Sequence, residues 1–159
     1  MKIVLSFLIL TILFFSCTSQ QETIKEEKPV VFVEKKKELF FSFEMQKSKT
    51  NSALRGISVI DSLTAWASGA NGTFLRTTDG GNTWYDGKVK GFETLDFRDV
   101  EAFDKNTAIL MSTDAPAFFF KTTDGGKSWK RKYMNRGPKV FFDGMTFWDE
   151  KNGIAVSDP

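Results

Sequence analysis

The residues with the most chemical potential in this sequence occur twice. Thr77, Asp79, Gly81, Thr83 and Trp84 return 45 positions later as Thr122, Asp124, Gly126, Ser128 and Trp129. A carboxylate between hydroxyls can hold a turn, move a proton or ligate a cation. Composition removes most of the chemistry. His is absent and Cys occurs once in 159 residues. A Ser-His-Asp or Cys-His triad, an H-E-x-x-H site, a Cys/His zinc site, a histidine switch and an internal disulfide are thereby excluded. Asp79-Gly80-Gly81-Asn82 lacks the ligand alternation of an EF-hand loop. Gly69-Ala70-Asn71-Gly72 belongs in a hairpin turn and opens no helix, so it is no dinucleotide fingerprint. No metal and no cofactor is implied. The structural role remains. Asp79 and Asp124 can accept hydrogen bonds from the N–H groups of their own turns, the paired glycines tolerate positive φ, and each Trp can bury its ring between sheets as the next strand begins.

The elements that carry these turns also repeat. Arg55 to Asp61 aligns with Arg98 to Asp104 at an offset of 43, and a third copy starts at Phe142 to Asp149. The difference of two residues falls where Gly69-Ala70-Asn71-Gly72 becomes the longer Ser112 to Ala117. A period near 45 with a Trp-bearing turn predicts an all-β propeller of four-stranded blades. In the first blade the strands are expected at 57–60, 64–68, 73–77 and 83–88, with Asn71-Gly72 as a type I′ hairpin. In the second they are expected at 98–103, 108–112, 117–122 and 128–133. The blades span about 54–90, 94–135 and 139–159, which is two and a half blades. A propeller closes with typically 4–8 blades, so the sequence reads as part of a longer protein with a further turn about 45 residues after Asp124.

Residues 1–16 read as a signal peptide, with Lys2 as the positive region and Ile3 to Phe15 as an apolar run. That run is too short for a relaxed membrane span. Ser16-Cys17 resembles a bacterial lipobox, which implies that Cys17 is lipidated and becomes the mature N-terminus. Membrane attachment through that lipid, in the cell envelope, is the expectation. Residues 17–50 read as a polar tether, within which Val30 to Val33 and Leu39 to Phe43 can form strands, and the propeller occupies 51–159. With 22 Lys and Arg against 20 Asp and Glu, the chain has no overall charge signature of a nucleic-acid binder.

The repeated turn resembles the Asp-box, or bacterial neuraminidase repeat. The run Gly72-Thr73-Phe74-Leu75-Arg76-Thr77-Thr78-Asp79-Gly80-Gly81 is similar to the photosystem II stability/assembly factor family, over about Leu54 to Pro159. That resemblance implies a non-catalytic propeller that binds a protein partner, in part through arginines. Arg55 and Arg98 stand at equivalent blade positions, and Asp143 takes that place in the third copy. The candidate binding residues are Arg55, Arg98, Asp99, Glu101 and Asp143, all near inner strands. The alternative is a sialidase-like exo-glycosidase or a glycan-binding propeller. A sialidase site needs three converging arginines, a Tyr-Glu pair and an acid. Arg55, Arg76, Arg98, Arg131 and Arg136 are the arginines present, Tyr85 and Tyr133 fall on outer strands, and the remaining residues would have to come from further blades.

Overall fold

A computed structural model describes residues 41–158. It is all-β, with the strand order β1 (Leu54–Val59), β2 (Ala65–Gly69), β3 (Thr73–Thr77), β4 (Tyr85–Lys88), β5 (Phe97–Ala102), β6 (Ala108–Ser112), β7 (Ala117–Thr122), β8 (Lys130–Asn135), β9 (Phe141–Phe147) and β10 (Gly153–Asp158). β1 to β4 form one antiparallel meander, β5 to β8 a second, and β9 pairs with β10. These are two four-stranded propeller blades and the inner pair of a third. The strands at the two box turns start later than the spacing suggests, at Tyr85 and Lys130, because the box itself occupies the residues before them.

Burial explains the pattern of each blade. The middle strands lie between neighbouring sheets, so β6 (Ala-Ile-Leu-Met-Ser) is buried throughout, and it reads as a continuous apolar run rather than an alternating one. β8 lies at the outer edge and begins with four exposed residues. Between blades one and two, Trp66, Phe74, Phe97, Val100, Leu110 and Phe120 form the core. Removing such side chains from water is the main driving force for stacking the sheets.

Local chemistry sets the connections. Asn71 and Gly72 have φ of 59° and 69°, as the type I′ turn between β2 and β3 requires. The β1–β2 turn is closed by Asp61 Oδ1, which accepts from Leu63 N at 2.8 Å and Thr64 N at 2.7 Å. Asp104 does the same for Asn106 and Thr107, and Asp149 for Lys151 and Asn152. A carboxylate that accepts two backbone N–H groups fixes an Asx-type turn. This second repeated aspartate has the same role in all three described blades.

The expected strand at Leu39 to Phe43 is corrected. Its described part, 41–43, carries no strand, and Phe43 is 99% exposed. An apolar run without a partner edge gains nothing from extending. The expected strand at Val30 to Val33 lies outside the described residues. The tether also ends before residue 50. Gln46 Oε1 accepts from Trp84 Nε1 at 3.0 Å, and Gln46 Nε2 donates to Gly80 O at 3.3 Å, so this segment is docked on the first blade.

Candidate functional site

Both box turns have one geometry. Asp79 Oδ1 accepts from Thr83 N at 2.9 Å and Oδ2 from Thr83 Oγ1 at 2.6 Å, while Thr77 Oγ1 donates to Oδ1 at 2.8 Å. Asp124 repeats this with Ser128 N, Ser128 Oγ and Thr122 Oγ1 at 2.9, 2.6 and 2.8 Å. Thr77 Oγ1 and Thr122 Oγ1 in turn accept from Gly81 N and Gly126 N. Donors from Ser128 and Thr122 hold the Asp124 carboxyl down at about 2, and those from Thr83 and Thr77 lower that of Asp79. A carboxylate so committed is a structural acceptor, not a proton carrier at neutral pH. Gly80, Gly81, Gly125 and Gly126 all have positive φ, which only glycine adopts without strain. The two tryptophans then differ. Trp129 stands edge-on to Trp66 and Phe74 of the first blade at 6.1 and 5.1 Å. Trp84 meets the docked Gln46 instead.

The five candidate binding residues lie on the inner strands β1, β5 and β9. Arg55 forks onto Asp96, with Nε to Oδ1 at 3.2 Å and Nη2 to Oδ2 at 2.9 Å. This ties blade one to the start of blade two, and the hydrogen bond and charge of Asp96 raise the affinity of Arg55 for its proton. Arg98 approaches Asp143 of the third blade loosely, at 3.8 Å. The arginines therefore bridge consecutive blades instead of converging. Both remain partly exposed, at 38% and 42% of the side chain, and exposed pairs of this kind are worth little to stability.

Asp99 is committed to the frame. Its Oδ2 accepts from Met145 N at 2.8 Å and its Oδ1 from Val100 N at 2.8 Å. The space it needs is left by glycine. A Cβ on Gly56 would stand 2.9 Å from both Asp99 Cα and Asp99 Oδ1. Among the candidate binding residues, Asp99 follows the structural alternative in this geometry: its carboxylate joins blades two and three. Glu101 is half-buried, and burial, followed by the nearby Asp99 charge, raises its pKa. Ser58 Oγ beside it accepts from Ala102 N at 3.1 Å and links blades one and two. Asp96, Ser58 and Gln46 had no sequence signal, because each partner lies far along the chain.

These groups can present charge and hydrogen bonds at a rim. Among the described residues, no three Asp, Glu or Cys side chains group as a metal site. The family model for Photosynthesis system II assembly factor YCF48 matches residues 35–139, more than half of the chain. The chain belongs to the YCF48 family. No curated protein matches the sequence. Among solved structures, "YCF48 bound to D1 peptide" is similar at 24% identity and a TM-score of 0.57, covering 68% of this chain and 36% of that one. "YCF48 from Cyanidioschyzon merolae" is similar at 24% identity and a TM-score of 0.49, covering 62% and 32%. The chain thus spans about a third of the length of those YCF48 structures. The first likeness supports the propeller fold, and the family match does not favour the sialidase reading.

Proposed function

We propose that this YCF48-family chain is a non-catalytic propeller of the bacterial cell envelope that binds a protein segment and serves as an assembly scaffold. The observation that carries the reading is the family match over residues 35–139, in a fold whose solved YCF48 relative is described with a bound peptide. The rim chemistry is compatible with it. Arg98 and Asp143 are 3.8 Å apart and both more than a third exposed, so an incoming carboxylate can take the place of Asp143 at little cost. Propellers present such groups on a rigid frame without altering the frame itself. The repeated turns are read as Asp-boxes with a structural role. In this reading residues 1–16 are a signal peptide, and a lipid on Cys17 holds the propeller at a membrane surface.

The test is site-directed photocrosslinking in cells with the probe at position 143, which leaves Arg98 in place. A discrete protein adduct is expected, and Arg55→Ala or Arg98→Ala should weaken capture of the same partner about tenfold, near the 1.4 kcal/mol of one charge-assisted contact. Absence of any protein adduct, together with binding of a glycan, would overturn the reading.

A further inference from the structure

The outer edge of the second blade carries a charge pattern that the fold does not require. Residues 127–139 hold Lys127, Lys130, Arg131, Lys132, Arg136 and Lys139 without one acidic residue, although the chain as a whole is nearly balanced at 22 against 20. All six are exposed. The corresponding stretch of blade one mixes Lys88 and Lys90 with Asp86 and Glu93. Repeat geometry therefore does not explain the cations.

Sheet pairing concentrates them. The β7–β8 register sets Lys121 opposite Lys130, and like charges in that position repel. The register then slips between Phe119 and Phe120, so Lys132 has no partner on β7. Lys121, Lys130 and Lys132 line a hollow of about 270 Å³ with Thr123 and Ser128. Glu150 answers only Lys121, at 3.2 Å. Among the described residues the three ion pairs are Arg55–Asp96, Arg98–Asp143 and Lys121–Glu150, so none of the six edge cations has a carboxylate partner. The guanidinium of Arg131 lies near Phe118, with Cζ 5.9 Å from the ring centroid, and the residue stays exposed.

We infer that the outer edge of blade two, centred on Lys130, Arg131 and Lys132, docks on a bilayer of anionic phospholipid. A row of lysines and arginines beside a membrane is attracted by the phosphate headgroups over roughly one Debye length. The choice of a bilayer rests on the envelope reading above. In that reading the lipid at Cys17 holds one point of the chain at the membrane, and this edge would add a second by turning the strand side of blade two to the lipid.

The experiment compares binding of the full chain to vesicles of phosphatidylglycerol in phosphatidylcholine with binding to phosphatidylcholine alone. Hydrophobic insertion by residues 1–16 is common to both vesicles, so the difference reads the charge. At about 0.1 M salt the anionic vesicles should bind at least about tenfold more tightly, and about 1 M salt should abolish the difference. The triple variant Lys130→Gln, Arg131→Gln, Lys132→Gln should lose the preference, and Lys130→Arg with Lys132→Arg should retain it, both with wild-type melting curves. Equal binding to the two vesicles overturns the inference, as does an undiminished preference in the glutamine variant. Binding to polyglutamate but not to anionic vesicles also overturns it and redirects the edge to an acidic protein. Vesicle preference reads lipid charge alone, whereas fractionation of a Cys17→Ala chain reads the anchor, so the two failures are distinguishable.

Discussion

Trp129 of the second box turn stands edge-on to Phe74 of the preceding blade, with ring centroids 5.1 Å apart. The same turn brings Gly126 against the Phe74 ring, where a Cβ would collide. The second turn thus reaches back over the first blade and holds the two sheets in register.

Trp129 Nε1 is buried without a hydrogen-bond partner, whereas Trp66 Nε1 donates to Asp104 O at 3.2 Å. Replacing Trp129 by Phe removes an unsatisfied donor along with some packing area. Trp129→Phe is therefore expected to cost less stability than Trp66→Phe, which loses a bond worth about 1 kcal/mol. Trp129→Ala empties the site and should cost about 3 kcal/mol. Urea melts of the three variants rank them, and Trp129→Phe as the costlier phenylalanine substitution would contradict the assignment.

Asp99 and Met145 couple blades two and three. Asp99→Ala leaves the Met145 N–H without its acceptor and should lower stability by about 1 kcal/mol. Gly56→Ala should be at least as costly, because the new methyl would press on backbone as well as on side chains. Chemical denaturation checks both. A neutral Gly56→Ala would show that the strands do not approach this closely.

Acid should loosen the box turns. Hydrogen bonds hold the Asp124 carboxyl at about 2, below its ordinary 3.8, so the folded state releases this proton more readily than the unfolded chain does. The resulting stability is complete above about pH 4 and is lost as pH falls toward 2. Asp79 acts in the same direction. Asp124→Asn should flatten the fall in Tm over this window and lower Tm at pH 7 by about 5 °C. An unchanged acid slope would remove Asp124 from the account.

Glu101 has the opposite sign. Burial and the Asp99 charge raise its pKa, so the unfolded chain ionises it first. It opposes folding once pH rises past the unfolded value near 4.5. Glu101→Gln should raise Tm at pH 7 and have little effect at pH 4. Thermal melts at the two values decide it, and equal shifts at both would refute the burial argument.

Cys17 is expected to carry the membrane anchor. Cys17→Ala should move the chain out of the acylated fraction or leave the precursor uncleaved, as read by metabolic labelling with a fatty acid and by gel mobility. Equal labelling of wild type and variant would remove lipidation at this position.

The turns and the blade boundaries were legible in the sequence because their interactions are local. Asp79 and Thr83 are four residues apart, Asn71 and Gly72 are adjacent, and the extra residues between Ser112 and Ala117 lengthen a hairpin without disturbing the repeat. A local pattern that recurs at blade spacing needs no knowledge of what the blades touch. The fate of the candidate site depended on partners far along the chain. Arg55 meets Asp96 at a separation of 41, Asp99 meets Met145 at 46, and Trp84 meets Gln46 at 38. The sequence marked Arg55 and Asp99 as charged groups near inner strands, and only the stacking of the blades decided that one forms an inter-blade ion pair and the other an inter-blade hydrogen bond. Residues 41–43, the described part of the expected strand at Leu39 to Phe43, show the same limit, since strand propensity is realised only where a neighbouring edge supplies hydrogen bonds and apolar cover.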